Sequence, residues 1–341
     1  MQTLSRLVII LLTTVSGAYS QGPSRRPLDV YIIDVEGGQA TLVVSPSGQS
    51  MLIDAGWPAL EGRDAGRIEA AMKQAHVSRI DYMLVTHYHT DHVGGVPALA
   101  AQVPIGTFID HGPTVESSAD PGYTAYVEAR KRGKNLQAKP GDVVPIAGLE
   151  VTIVSSNGET IRSPLPGAGL PNPLCAAHKP QPADASENAR SVGVVIAYGA
   201  FRMLDLGDLT WNREHDLACP ANLIGTIDLY LTTHHGNEQS GPAALVHALK
   251  PRVAIMNNGA DKGGSPSAWH IVRDSPGLQD FWQLHTSRAG GRDANAADDF
   301  IANLDDTTSH MIQVSARQDG GFTVTNTRNG KTKTYPGGGG R

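Results

Sequence analysis

Apolar and polar positions along this chain fall into short runs rather than long helical stripes. Residues 28–35 (LDVYIIDV) read as a strand, followed by a turn at 36–39 and a second strand at 40–44. Pro46-Ser47-Gly48-Gln49 is a hairpin signal, and the third strand, 50–53, ends at Asp54-Ala55-Gly56. Residues 66–75 carry helical periodicity, 80–85 (IDYMLV) form a buried strand, and a helix is expected near 96–102. A strand at 105–109 ends at Asp110-His111. A helix at 120–132 follows, and 141–154 alternates like a hairpin. Residues 157–189 are rich in Pro, Ala, Gly and Asn without any period, which predicts a long lid or cap loop. The strand pattern restarts at 192–198 and 201–206, the latter ending at Gly207-Asp208. A further strand at 227–232 ends at Thr233-His234-His235-Gly236. A helix at 242–249, a strand at 253–256, weaker helix and strand signals over 266–286, and terminal strands at 311–314 and 322–326 complete the pattern.

One event recurs. An apolar strand ends in an Asp or His: Asp54, His87, His111, Asp208, His234. Open α/β layers place ligands at the carboxyl ends of strands, so the recurrence predicts one shared rim and one site. Strands cluster in both halves with helices between them. The expected fold is α+β, a four-layer αββα sandwich of two mixed sheets packed face to face with helices outside.

The densest chemistry is His87-Tyr88-His89-Thr90-Asp91-His92-Val93-Gly94-Gly95, directly after the 80–85 strand. Three histidines and a carboxylate within six positions are a metal-ligand spacing. His87 and His89 can face one ion, while Asp91 and His92 turn towards a second. Imidazole and carboxylate suit zinc, and also manganese or iron when oxygen joins the shell.

Composition narrows the partners. Residues 1–20 hold Arg6, the apolar run 7–12 and the small residues Gly17, Ala18 and Ser20, the pattern of a signal peptide cut near Ser20. The expected protein is therefore secreted or periplasmic and not an integral membrane protein. A linker at 21–27, a folded domain at 28–316, C-terminal strands within 317–335 and a flexible tail at 336–341 complete the organisation. Cleavage removes Arg6 and no acid, moving the formal charge from −5 to −6. Stable nucleic-acid binding is not expected of an acidic chain. Arg130-Lys131-Arg132-Gly133-Lys134, continued by Lys139, reads as a solvated helix end or a patch for a phosphate-bearing substrate. Cys175 and Cys219 permit a disulfide after export, or stand as two free thiols.

These residues resemble the metallo-β-lactamase fold superfamily, whose signature loop is His-x-His-x-Asp-His, over nearly the whole mature chain. Within it the chain is most similar to the hydrolase domain of bacterial competence (DNA-uptake) channels and its free-standing relatives. Residues 34–43 resemble that branch's opening strand and turn, 188–208 its Asn-x-x-Ser strand pair ending in Gly-Asp, and 232–236 its His-His-Gly loop. The resemblance implies that His87 and His89 hold one divalent ion and that Asp91 and His92 hold another. It further implies that Asp208 bridges the two, that His235 completes the coordination of the second ion, and that Asp54 orients the loop from behind. The superfamily usually supplies a histidine just before the strand that starts here at Val192. This chain has Glu187-Asn188-Ala189-Arg190-Ser191 instead. Asn188 or Glu187 is the expected substitute ligand, with His111 and His178 further candidates.

The function these features imply is an exported metal-dependent hydrolase, a phosphodiesterase or phosphoesterase that uses a metal-activated water. Its cofactors are two divalent ions, zinc or manganese, and its substrate is a small-molecule or polymer phosphoester. Asp91 and His234 are the expected catalytic side chains. No Gly-x-Ser-x-Gly elbow is present to supply a serine nucleophile. The alternatives are a β-lactamase-type amide or ester hydrolase and a non-catalytic metal-binding relative.

Overall fold

The computed structural model describes residues 26–58 and 60–338, so the expected signal peptide lies outside the described residues. The first part of the chain forms β1 (Leu28–Ile32), β2 (Thr41–Val44), β3 (Ser50–Ile53), β4 (Ile80–Leu84), β5 (Ile105–Asp110) and β6 (Lys134–Gln137). The middle forms β7 (Val143–Val144), β8 (Glu150–Ser156), β9 (Glu159–Thr160), β10 (Gly193–Tyr198), β11 (Phe201–Asp205), β12 (Leu229–Leu231), β13 (Val253–Met256), β14 (Asp280–His285) and β15 (Ile301–Asn303). The chain then returns as β16 (Ile312–Ala316), β17 (Phe322–Asn326) and β18 (Thr332–Tyr335). One sheet runs β18-β17-β16-β1-β2-β3-β4-β5-β6, and the other runs β15-β14-β13-β12-β11-β10-β8-β7 with β9 beside β8. Both are mixed: β3 to β6 pair in parallel, as do β11 to β15, and the remaining pairs are antiparallel.

The alternation inside each strand builds the layers. On β1, Val30 and Ile32 enter the core between the sheets, where they join Met203, Ile255, Trp282 and Val314. Tyr31, on the opposite face, packs under α1 (Arg63–Gln74), α3 (Val96–Gln102) and α4 (Pro121–Arg130), beside Ile68, Leu99 and Tyr126. A third cluster, including Leu204, Tyr230, Leu245 and Trp269, seats α5 (Trp211–Ala218), α6 (Ala243–Leu249) and α7 (Pro266–Arg273) on the second sheet. The result is the four-layer αββα sandwich. The terminal strands belong to it, since Tyr335 is fully buried and accepts a hydrogen bond from Trp282 Nε1 at 3.1 Å.

Residues 157–189 are mostly irregular, apart from β9 and a short 3-10 turn at Pro173–Ala177. Cys175 and Cys219 are joined by a disulfide that fixes this segment to the end of α5. No helix among the described residues is long and apolar enough to cross a membrane.

Candidate metal centre

Asp54, His87, His111, Asp208, His234 and His235 all lie just beyond the carboxyl ends of β3, β4, β5, β11 and β12. Both parallel blocks point these ends at the same rim. The halves are joined there by a hydrogen bond from Val192 N to Thr86 O (2.8 Å). Gln39 Nε2 also donates to both oxygens of Asp205 (3.1 and 3.0 Å). Gly207 makes the approach possible. Its φ is +55°, and a Cβ there would meet Thr86 Cβ at 2.7 Å.

The site is built from its supports inward. Asp54, itself at φ 58° and fully buried, accepts from Thr86 N (2.8 Å) and Thr86 Oγ1 (2.7 Å). A carboxylate only accepts, so Nδ1 of His92, 2.7 Å from Asp54 Oδ2, carries the proton. The Thr86 hydroxyl proton is already used on Asp54. Thr86 Oγ1 therefore accepts from His87 Nδ1 at 3.1 Å. By the same logic Ser240 Oγ donates to Leu209 O (2.7 Å), so it accepts from His234 Nδ1 at 3.2 Å. In their neutral forms His87, His92 and His234 thus turn an Nε2 lone pair inward.

Those lone pairs meet carboxylates. His92 Nε2 lies 3.1 Å from Asp91 Oδ2, 3.3 Å from Asp208 Oδ1 and 3.2 Å from His235 Nε2. His235 Nε2 is 3.3 Å from both Asp91 Oδ2 and Asp208 Oδ1. On the other side of the same carboxylate, Asp208 Oδ2 is 3.3 Å from His234 Nε2 and 4.0 Å from His87 Nε2. His89 Nδ1 approaches His87 Nε2 at 3.1 Å. Asp208 therefore separates two groups of imidazoles, one on each oxygen. Its buried Oδ1 makes no hydrogen bond of good geometry.

Acceptors converging on acceptors in a dry pocket favour a cation between them. The donor set, imidazole nitrogen and carboxylate oxygen, fits a divalent transition metal. Asp91, His92, Asp208 and His235 form one group whose ligand atoms all lie within 4.8 Å of one another.

In the bare cluster a proton on His92 takes the place of that cation. Burial alone would raise the carboxyls of Asp91 and Asp208, but the neighbouring histidines hold both well below the ordinary range. Burial disfavours a proton on His92, and Asp208, Asp91 and Asp54 outweigh it, so this ring sits well above its usual value. Burial pushes His87 well below its usual value, and it pushes His234 down to about 4, so His234 is neutral at pH 7.

Other candidates go elsewhere. Glu187 and His111 pair with each other instead of joining the cluster, Nε2 to Oε2 at 2.8 Å. Thr114 Oγ1 and Val115 N occupy Glu187 Oε1, each at 2.7 Å. This carboxylate ties the 187–190 turn to the loop after β5 and has no free oxygen for a metal. Asn188 is buried, and its Oδ1 has no hydrogen-bond partner among the described residues. His178 stacks on His215 beside the disulfide, ring centroids 4.1 Å apart. Arg130 is half-buried on Asp110 (2.5 Å) and not a free patch.

The structure adds one residue that the sequence reading missed. Lys262, in the loop after β13, places its Nζ on Asp91 Oδ2 and 5.0 Å from the centre of the Trp57 ring. Its only sequence signal was a lone lysine in a glycine-rich loop at a strand end.

The family model described as the metallo-beta-lactamase superfamily matches residues 33–171, which include the His87–His92 loop. Ribonuclease Z of Methanopyrus kandleri is 33% identical over 120 residues, 34% of this chain and 38% of that protein. A hydroxyacylglutathione hydrolase of Stenotrophomonas maltophilia is 36% identical over 63 residues, 18% of this chain and 21% of that one. The chain thus matches well under half the length of these relatives. Among solved structures, the metallo-beta-lactamase fold protein YhfI of Bacillus subtilis is 10% identical with a TM-score of 0.47, covering 76% of this chain and 96% of that one. Over residues 33–171, which carry the His87–His92 loop, the chain is thus similar to the metallo-beta-lactamase superfamily.

Proposed function

We propose that this chain is an exported metal-dependent phosphoesterase, a free-standing relative of the competence-channel hydrolase domain, with two ions held on either side of Asp208. The observation that carries this reading is the division of histidines between the two oxygens of Asp208. His92 and His235, with Asp91, serve one ion on the Oδ1 side. His87 and His234, with His89, serve the other on the Oδ2 side. His234 then supplies the imidazole that the 187–191 segment lacks. The tautomer fixed by Ser240 suits a ligand better than a proton donor, because the neutral ring has no proton on Nε2. With its nitrogen count restored, this side favours zinc over manganese.

When bound, divalent ions here supply Lewis acidity that brings water towards a pKa of ~7 and polarises a substrate oxygen. The protein does the rest. Asp91, held ionised, accepts a hydrogen bond from the attacking water. The Lys262 ammonium faces the same carboxylate and offsets charge that builds on a substrate oxygen. Asp54 and Thr86 hold His87 and His92 in the ligating tautomer. The disulfide supports export, since such bonds persist in oxidising compartments. One relative is named a ribonuclease, which supports a phosphoester. The other is named a hydroxyacylglutathione hydrolase, and a carboxylic ester is therefore the second reading.

Hydrolysis of a bis-aryl phosphodiester by the metal-loaded protein tests the proposal. Asp208→Asn keeps the side chain's shape but removes the charge between the ions, and turnover should fall at least ~100-fold. Near-normal turnover in that variant, or hydrolysis of only a carboxylic ester by the parent, rejects the phosphoesterase.

A further inference from the structure

Beside the cluster lies a cavity of about 450 Å³, walled by the 181–188 segment, the start of α5 and the loop after the His-His-Gly turn. One contact ties it to the metal centre. Thr210, two residues beyond Asp208, donates its hydroxyl to Asp184 Oδ2 on the cavity wall (2.9 Å).

The lining is chemically one-sided. Asp184 and Glu238 bring two carboxylates, while none of the described lining residues is Lys, Arg or His. Asn188, only 9% exposed, borders the cavity, and its Oδ1 has no hydrogen-bond partner among the described residues. A buried carbonyl oxygen left without a donor is costly unless a ligand supplies one. Trp211 adds an aromatic ring, whose face attracts organic cations. Acceptors and carboxylates around an aromatic ring suit a cation and repel a polyanion.

We infer that this cavity binds an organic ammonium group carried by the substrate beyond its scissile bond, which makes the preferred substrate a zwitterionic phosphoester. The inference rests on the phosphoesterase reading, and its test separates the two. Isothermal titration of the metal-loaded protein compares three phosphate monoesters, the products a phosphodiesterase would release: phosphocholine, phosphoethanolamine and ethyl phosphate. At least one of the ammonium ligands should bind ~10-fold or more tightly than ethyl phosphate. The stronger of the two distinguishes a quaternary from a primary ammonium. In Asp184→Asn/Glu238→Gln the ratio should fall towards one. Glu238 is exposed, so Glu238→Gln alone keeps the comparison readable should the double variant fold poorly. Equal binding of all three ligands overturns the ammonium site and leaves the phosphoesterase standing. Absence of binding by all three overturns both. A preference that survives the substitutions overturns this cavity as its source.

Discussion

Tautomers, more than residue types, make this centre legible. His87, His92 and His234 are ordinary histidines until Thr86, Asp54 and Ser240 take their Nδ1 protons and leave Nε2 facing inward. The sequence showed His87, His89, Asp91 and His92 because they are local, six positions in one loop. It could not show Lys262, which reaches Asp91 across 171 positions, nor that Glu187 is consumed by His111. A second buried acid makes a separate prediction at this scale. Glu214 is fully buried, accepts from Gly241 N at 2.7 Å through Oε2, and has no hydrogen-bond partner on Oε1 among the described residues. Burial raises its carboxyl from 4.5 to about 8. A folded-state pKa above the unfolded value leaves stability intact below about 4.5 and removes it as pH rises towards 8. The loss is of order 1.4 kcal/mol per pH unit across that window. Glu214→Gln retains the acceptor and cannot ionise. Urea midpoints should show the variant gaining on the parent between pH 5 and pH 8, whereas parallel curves would show that Glu214 is solvated or already paired.

Elements were legible where burial enforced alternation or periodicity. The strands carrying Asp54, His87, Asp208 and His235 are buried runs, and the expected 96–102 helix is α3 as found. β6 was missed because all four of its residues are exposed, so KNLQ has no apolar face to announce it. β15 was missed because it has three residues and takes its place by pairing with β14. The turn after β11 is the element on which the site depends most. Gly207 sits in the left-handed region against Thr86, the residue that orients His87. Gly207→Ala would combine backbone strain with a steric clash, at a cost of roughly 2 kcal/mol or more. Because the displaced segment carries Asp208, metal affinity should fall with the melting temperature. A variant that melts earlier but binds metal normally would show that the turn serves only the fold.

At the scale of the whole molecule, function depends on two sheets ending at one rim. The recurrence of Asp and His at strand ends anticipated that rim, because parallel strands in both halves must point the same way to share it. What the pattern could not give was the distance between the two halves, set by Gln39 on Asp205, by Val192 on Thr86 and by the packing of the inter-sheet core. That distance decides which imidazole meets which oxygen of Asp208, and so underlies the proposal that His234 as well as His235 holds metal. Metal content per chain, measured by elemental analysis after loading and dialysis, tests this assignment most directly. The parent should hold two ions, His234→Ala and His235→Ala one each, and His178→Ala, a histidine beside the disulfide, two. A single ion in the parent, or two retained in His234→Ala, would contradict a centre divided across Asp208.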